Sequence, residues 1–297
     1  MPNQPVLFNS FILIKFVLWI AVIVIATILL RRRKVTLKVR LAFLIGGTLL
    51  FGFVFGFITR QGVNPNPVFS VRNLLTSTLV RQQFIFPIVI MLVILLLMVL
   101  LSNKSICGWG CELGLLQDLL HRIPLPKWKP PFWLSNTARI IAFTALVAGL
   151  VVAGLDWIKI IDPFKLFQFN FTLWIGLFVS ALLIASLIVY RPWCQFLCPF
   201  GLIGWITEQV SLLRPRINWD VCKKCKLCVK ACPTQAMSDF YKGKKIHADC
   251  FACGACIATC PQEDALGWRM KYPITNNGKD ASKNSYDHAN DINENVR

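Results

Sequence analysis

The sequence predicts a helical membrane domain of about five spans, N-terminus outside and C-terminus inside, ending in a small cysteine-rich α+β domain. Three observations point there: long apolar runs in a chain that is 56% hydrophobic, a basic loop after the first run, and twelve cysteines confined to Cys107–Cys260. Mean hydropathy is +0.58. The net charge is +18 although only 15% of residues are charged. Those basic residues flank apolar runs and do not line one helical face, so a nucleic-acid partner is not expected.

Five stretches approach the roughly 20 apolar residues that cross a bilayer: Phe11–Leu30, Leu41–Thr59, Phe84–Leu101, Ala138–Leu155 and Phe171–Tyr190. Lys15, near the outer end of the first, is expected to snorkel. Gly52 and Gly56 form a G-x-x-x-G pair suited to close helix contact. Trp157, Trp174, Tyr190 and Trp193 fall near span ends, where amphipathic rings favour the headgroup zone.

Positive charge follows the first apolar run instead of preceding it, unlike a secretory signal. Residues 31–40 carry six basic residues and no acidic one, which places this loop in the cytoplasm. Counting from it, the loop over 60–83 and the loop over 156–170 lie outside, and 102–137 and everything from 191 onward lie inside. Localisation in the inner (cytoplasmic) membrane follows. The domain reading is a membrane domain over 1–215, a second domain over 216–271 and a polar, disordered tail over 272–297. The segment over 69–79 is expected to be a short amphipathic helix on the outer surface.

From Cys222 the chain reads C-K-K-C-K-L-C-V-K-A-C-P and from Cys250 C-F-A-C-G-A-C-I-A-T-C-P. Both are C-x2-C-x2-C-x3-C-P, the run that wraps one [4Fe–4S] cubane and lends its fourth cysteine to the other. Cluster one is expected on Cys222, Cys225, Cys228 and Cys260, and cluster two on Cys250, Cys253, Cys256 and Cys232. A single zinc would use only one such set. This is the two-cluster bacterial-ferredoxin (α+β) pattern. Lys223, Lys224, Lys226 and Lys230 crowd the first run; a basic surface there suits anionic headgroups or an acidic redox protein, or simply follows the positive-inside bias.

Two further pairs, Cys107/Cys111 and Cys194/Cys198, align as C-x3-C-x-[LF]-G-L, 87 residues apart. Each is expected at the cytoplasmic membrane surface, followed by a short interfacial helix. Three readings stay open for these four thiols: a third cluster, reversible redox dithiols, or simple packing.

This arrangement resembles the NapH/NosR-type membrane ferredoxins, over roughly residues 102–268. The resemblance rests on Cys107-Gly-Trp-Gly-Cys111, on Arg191-Pro-Trp-Cys194-Gln-Phe-Leu-Cys198-Pro199-Phe-Gly201, and on the two ferredoxin runs. The family usually has proline after both C-x3-C pairs; here Glu112 replaces the first. It implies electron passage between membrane quinol and a redox partner, or service in metal-centre maturation.

Quinone chemistry, with menaquinone or ubiquinone, needs an apolar pocket and a proton acceptor. Asp118, His121 and Glu208 are the candidates, Asp118 and His121 spaced to pair; the plain alternative for each is a solvated or lipid-facing position. The three histidines, His121, His247 and His288, all lie outside the spans, so no haem is expected. With every redox ligand on the inner face, the chain alone is not expected to carry electrons across the membrane. The functional expectation is membrane-bound electron transfer linking the quinone pool to a redox protein. The alternatives are a maturation or reductase factor using the dithiols, or a redox-sensing assembly subunit.

Overall fold

The computed structural model describes residues 10–58, 65–170 and 172–270. The expected disordered tail lies outside them.

Among the described residues three helices are long and apolar enough to cross a membrane: Ile12–Arg31 in α1 (Ser10–Arg31), α2 (Leu37–Ile58) and, after α3 (Pro67–Leu75), α4 (Phe86–Ser102) and α5 (Glu112–His121), the helix α6 (Phe132–Ala153). The apolar helices α4 and, after a short α7 (Trp157–Ile161), α8 (Leu173–Ile188) have 17 and 16 residues. Helix α9 (Pro199–Glu208) leads into the C-terminal region. There β1 (Arg214–Ile217) pairs antiparallel with β2 (Leu266–Arg269), around α10 (Leu227–Ala231), α11 (Ala236–Tyr241) and α12 (Ala255–Thr259).

Helices α5 and α9 do not lie on a surface. Along α1, Thr27 meets Ser102 (2.8 Å), Trp19 donates its indole N–H to the Gly110 carbonyl (3.0 Å), and Lys15 pairs with Glu112 (3.2 Å). Thr27 to Lys15 is roughly 18 Å of helix. Along α2, Arg40 holds Asp118, Gly47 packs on Leu115 and Gly52 packs on Glu112. The chain after α4 therefore turns back between α1 and α2, and α5 climbs out again antiparallel to α2. Such irregular backbone at depth is tolerated only where protein covers it, and residues 106–111 are all buried.

Four expectations change here. Lys15 does not snorkel: its side chain is fully buried against Glu112, because the re-entrant loop supplies a carboxylate at its depth. Tyr190 and Trp193 are buried instead of interfacial, whereas Trp174 is exposed. Gly52 and Gly56 accept the Phe167 segment, not a partner helix; a Cβ at Gly52 would come within 2.6 Å of the Phe167 ring. The amphipathic segment after residue 66 is a helix, but it packs against α4 and α9, with Val68, Ser70 and Val71 buried.

Candidate iron–sulfur and thiol centres

The two C-x3-C loops share one backbone. Ile106–Gly110 and Trp193–Leu197 each form a π turn, closed by Cys111 N–H to Ile106 O (2.8 Å) and Cys198 N–H to Trp193 O (2.9 Å). The second cysteine of each adopts nearly the same extended conformation and starts a ten-residue helix. Glu112 thus replaces Pro199 without changing the turn, since the closing bond is made one residue earlier.

All four thiols are buried inside the bundle, 5–6% exposed, and Cys107, Cys111 and Cys198 each lie within electrostatic reach of Cys194. They sit deeper than the surface position expected from the sequence. The Gly114 and Gly201 amides donate to the sulfurs of Cys111 and Cys198, the latter across 3.3 Å. Cys194 Sγ lies 3.9 Å from the amide of Gln117, whose buried Nε2 has no partner. Turning that amide over gives a thiolate a donor. Four buried sulfurs, two of them with backbone N–H donors, near Arg191, Lys104 and Arg139, fit an anionic thiolate-bound cluster.

Sequence reasoning missed the residues that brace these loops. Arg191, from the second half of the repeat, donates to the carbonyls of Cys107 and Gly108 and pairs with Asp118 (3.0 Å). Lys104, from the first half, reaches the Gly201 carbonyl (3.4 Å) and pairs with Asp249. Each stands three residues before its cysteine pair, so the two are also 87 apart; the repeat itself was the available signal. Arg139 adds a two-pronged grip on Asp249, at 2.9 and 3.0 Å.

The candidates for proton transfer are otherwise engaged. Asp118 is buried and not solvated: Arg40 (2.7 Å), Arg191 and the Tyr190 hydroxyl (2.9 Å) all bind its Oδ2. His121 is half-buried, its Nδ1 3.3 Å from the Ser186 carbonyl. Glu208 is buried too, near Lys104 (3.6 Å), and accepts the Cys250 amide (3.2 Å). Burial pushes its carboxyl above the usual range. For Asp249 burial acts the same way, but Arg139 and Lys104 outweigh it and hold the carboxyl below that range.

In the C-terminal region two openings face the ferredoxin cysteines. One, of about 410 Å³ including space open to solvent, is lined by Cys222, Cys225, Cys228 and Cys260. The other, of about 390 Å³, is lined by Cys232, Cys250, Cys253 and Cys256, with Tyr190 of the helical bundle in its wall. Among the described residues no three His, Cys, Asp or Glu side chains converge to single-ion distance. The runs match in conformation: Lys224 and Lys226 have φ of 54° and 57°, Ala252 and Gly254 have φ of 51° and 79°. Left-handed residues alternating with cysteines turn backbone N–H groups toward one side, a concavity suited to an anion. Donor type, grouping and backbone all fit a thiolate-bound cluster in each opening.

The second run docks on the bundle. Gly108 packs on the Phe251 carbonyl with no room for a Cβ, and the Trp109 indole N–H donates to the Ala252 carbonyl (2.8 Å). The Phe251 ring lies between Lys104 and Arg191, 5.3 and 5.1 Å from its centroid, and meets Tyr190 edge-on. Lys129 and Arg33, from the bundle's loops, donate to the carbonyls of Cys232 (2.6 Å) and Cys260 (2.8 Å), the fourth cysteine of each run.

Known families match these parts in order. A 4Fe–4S binding domain matches twice, over 84–131 and 171–218, each copy holding one C-x3-C loop, and a 4Fe–4S dicluster domain matches 221–266. YccM of Escherichia coli is 26% identical over 207 residues, covering 63% of this chain and 57% of that protein. The ferredoxin-type protein NapH of Haemophilus influenzae is 27% identical over 187 residues, 58% of this chain and 64% of its own length. The regulatory protein NosR of Pseudomonas aeruginosa is 26% identical over 202 residues, 60% of this chain and 26% of its own length. In the order of its parts the chain is similar to the NapH/NosR-type ferredoxins. The matched segments are those of 4Fe–4S binding domains, and they accompany helices apolar enough to cross a membrane. It spans less than two thirds of each of these three relatives. No solved structure matches it.

Proposed function

We propose that this chain, like the NapH/NosR-type ferredoxins it resembles, relays electrons between a redox protein at its C-terminal region and quinone in the membrane. Cysteine-bound [4Fe–4S] clusters, when present, accept and release single electrons. Cys222, Cys225, Cys228 and Cys260 hold one; Cys250, Cys253, Cys256 and Cys232 hold the second; Cys107, Cys111, Cys194 and Cys198 hold a third centre. The observation that carries the reading is the docking of Gly108–Trp109 onto Phe251–Ala252, which joins the first thiol loop to the wall of the second opening. Phe251 and Tyr190 fill the space between and keep water out.

In this reading the chain has five spans, N-terminus outside, in the inner (cytoplasmic) membrane, with residues 216–271 as the cytoplasmic ferredoxin domain. The short α4 and α8 span with help from the turns beside them. The depth of Cys111, level with Lys15 and Gly52, supports a membrane-soluble carrier such as menaquinone or ubiquinone at the far end of the route. Asp118 is an ion-pair anchor and not the quinone's proton acceptor, since three groups already occupy it.

The test is anaerobic purification, metal and acid-labile sulfide analysis, then addition of a menaquinone analogue to the reduced protein in liposomes. About twelve irons per chain and re-oxidation by the quinone are expected. Eight irons point to the dithiol alternative, and clusters that no quinone re-oxidises remove the quinone link.

A further inference from the structure

The two ferredoxin runs share a backbone but not an environment. In the second run Phe251, Ala252 and Gly254 are buried and Cys253 is half-buried: Ala252 accepts the Trp109 indole, and a Cβ on Gly254 would come within 2.9 Å of Leu30 and 3.0 Å of Val35. The equivalent edge of the first run, Lys223 to Lys226, is exposed throughout, Cys225 included. The left-handed positions that hold Ala252 and Gly254 there hold Lys224 and Lys226 here. Glycine is the ordinary tenant of that conformation, so two long cations in it are a costly choice for a surface without a role. Lys223 and Lys226 line the opening itself, and Tyr241 in the same wall leads to exposed Lys242 and Lys245.

We propose that this lysine-bearing edge of the first cysteine run docks a soluble, acidic electron-carrier protein. The proposal rests on the electron-transfer reading above and adds the partner's class. Charge complementarity supplies the attraction and the orientation, and the exposed Cys225 brings the partner's redox group against the opening. An anionic lipid surface fits less well. The wall of this opening contains no residue of the helical bundle, whereas that of the other contains Tyr190. A headgroup also has no use for an exposed cluster ligand. One electron crosses per encounter, oxidising one protein and reducing the other, with no further reactant.

The test uses the full-length, cluster-loaded protein in nanodiscs and a reduced acidic two-iron ferredoxin as probe, followed by stopped-flow absorbance. Wild type should lose rate steeply as ionic strength rises. The triple variant Lys223→Glu, Lys224→Glu, Lys226→Glu should be at least tenfold slower. Reduction by a small uncharged flavin should be unchanged. The double variant Lys224→Gly, Lys226→Gly removes two cations while relaxing the backbone, and it too should slow the ferredoxin but not the flavin. Ferredoxin rates insensitive to salt, or equal in all variants, overturn the proposal. So does a result in which the variants change only binding to phosphatidylglycerol vesicles. If flavin and ferredoxin both fail on wild type, the electron-transfer reading fails, and docking is not what was lost.

Discussion

The indole of Trp109 donates to the carbonyl of Ala252 across 2.8 Å, tying a loop sunk in the helical bundle to the second ferredoxin run. Arg40 stacks on the other side of this contact, its guanidinium 4.3 Å from the indole. Ala252 is left-handed, so the run presents its carbonyl outward at the one place where the loop can take it.

This contact has no slack at Gly108, where a Cβ would strike the Phe251 carbonyl. Gly108→Ala should force the loop and the run apart. Both sets of clusters should still load, but the magnetic coupling between them, read by EPR of the reduced protein, should weaken. Coupling equal to wild type would show that the joint is not the route.

The grouping of cysteines around the two openings leads to an exchange test. Cys232→Ser should abolish the cluster facing Cys250, Cys253 and Cys256, and Cys260→Ser the one facing Cys222, Cys225 and Cys228. Distinguishable EPR signals of the two clusters check this. If each variant instead loses the cluster of its own run, the fourth ligands are not exchanged.

The deep thiols should be countable. Cys107→Ser with Cys198→Ser should lower iron from about twelve to about eight atoms per chain while the ferredoxin signals persist. Iron unchanged by the double substitution would leave these thiols without metal.

The Lys15–Glu112 pair is fully buried on both sides, so removing one partner strands a charge. Lys15→Met should destabilise the protein by about 3–5 kcal/mol, seen as earlier loss of cluster absorbance on heating. Adding Glu112→Met should restore part of that. A single variant as stable as wild type would mean that the pair carries no structural weight.

Part of this was legible in the residues. The two C-x2-C-x2-C-x3-C-P runs carry their own geometry, and each opening is lined by three cysteines of one run and one of the other. The apolar helices follow the hydropathy. Depth was not legible. A C-x3-C loop reads alike on a membrane surface or within it; what sinks it is a set of contacts nearly a hundred residues apart, Lys15 with Glu112 or Lys104 with Gly201. Nor did the pattern reveal that Asp118 is claimed by Arg40 and Arg191, since local sequence gives no hint which distant cation will arrive.

Arg33 and Lys129 hold the backbone of the two runs at Cys260 and Cys232. Arg33 also belongs to the basic loop from which orientation is inferred, and Lys129 to a loop expected on the same face. Neutralising them to map sidedness would confound two effects, because the ferredoxin region would lose its moorings whether or not the helices reversed. Reporters of sidedness belong at Arg31, Arg32 or Lys38, which leave both anchors in place.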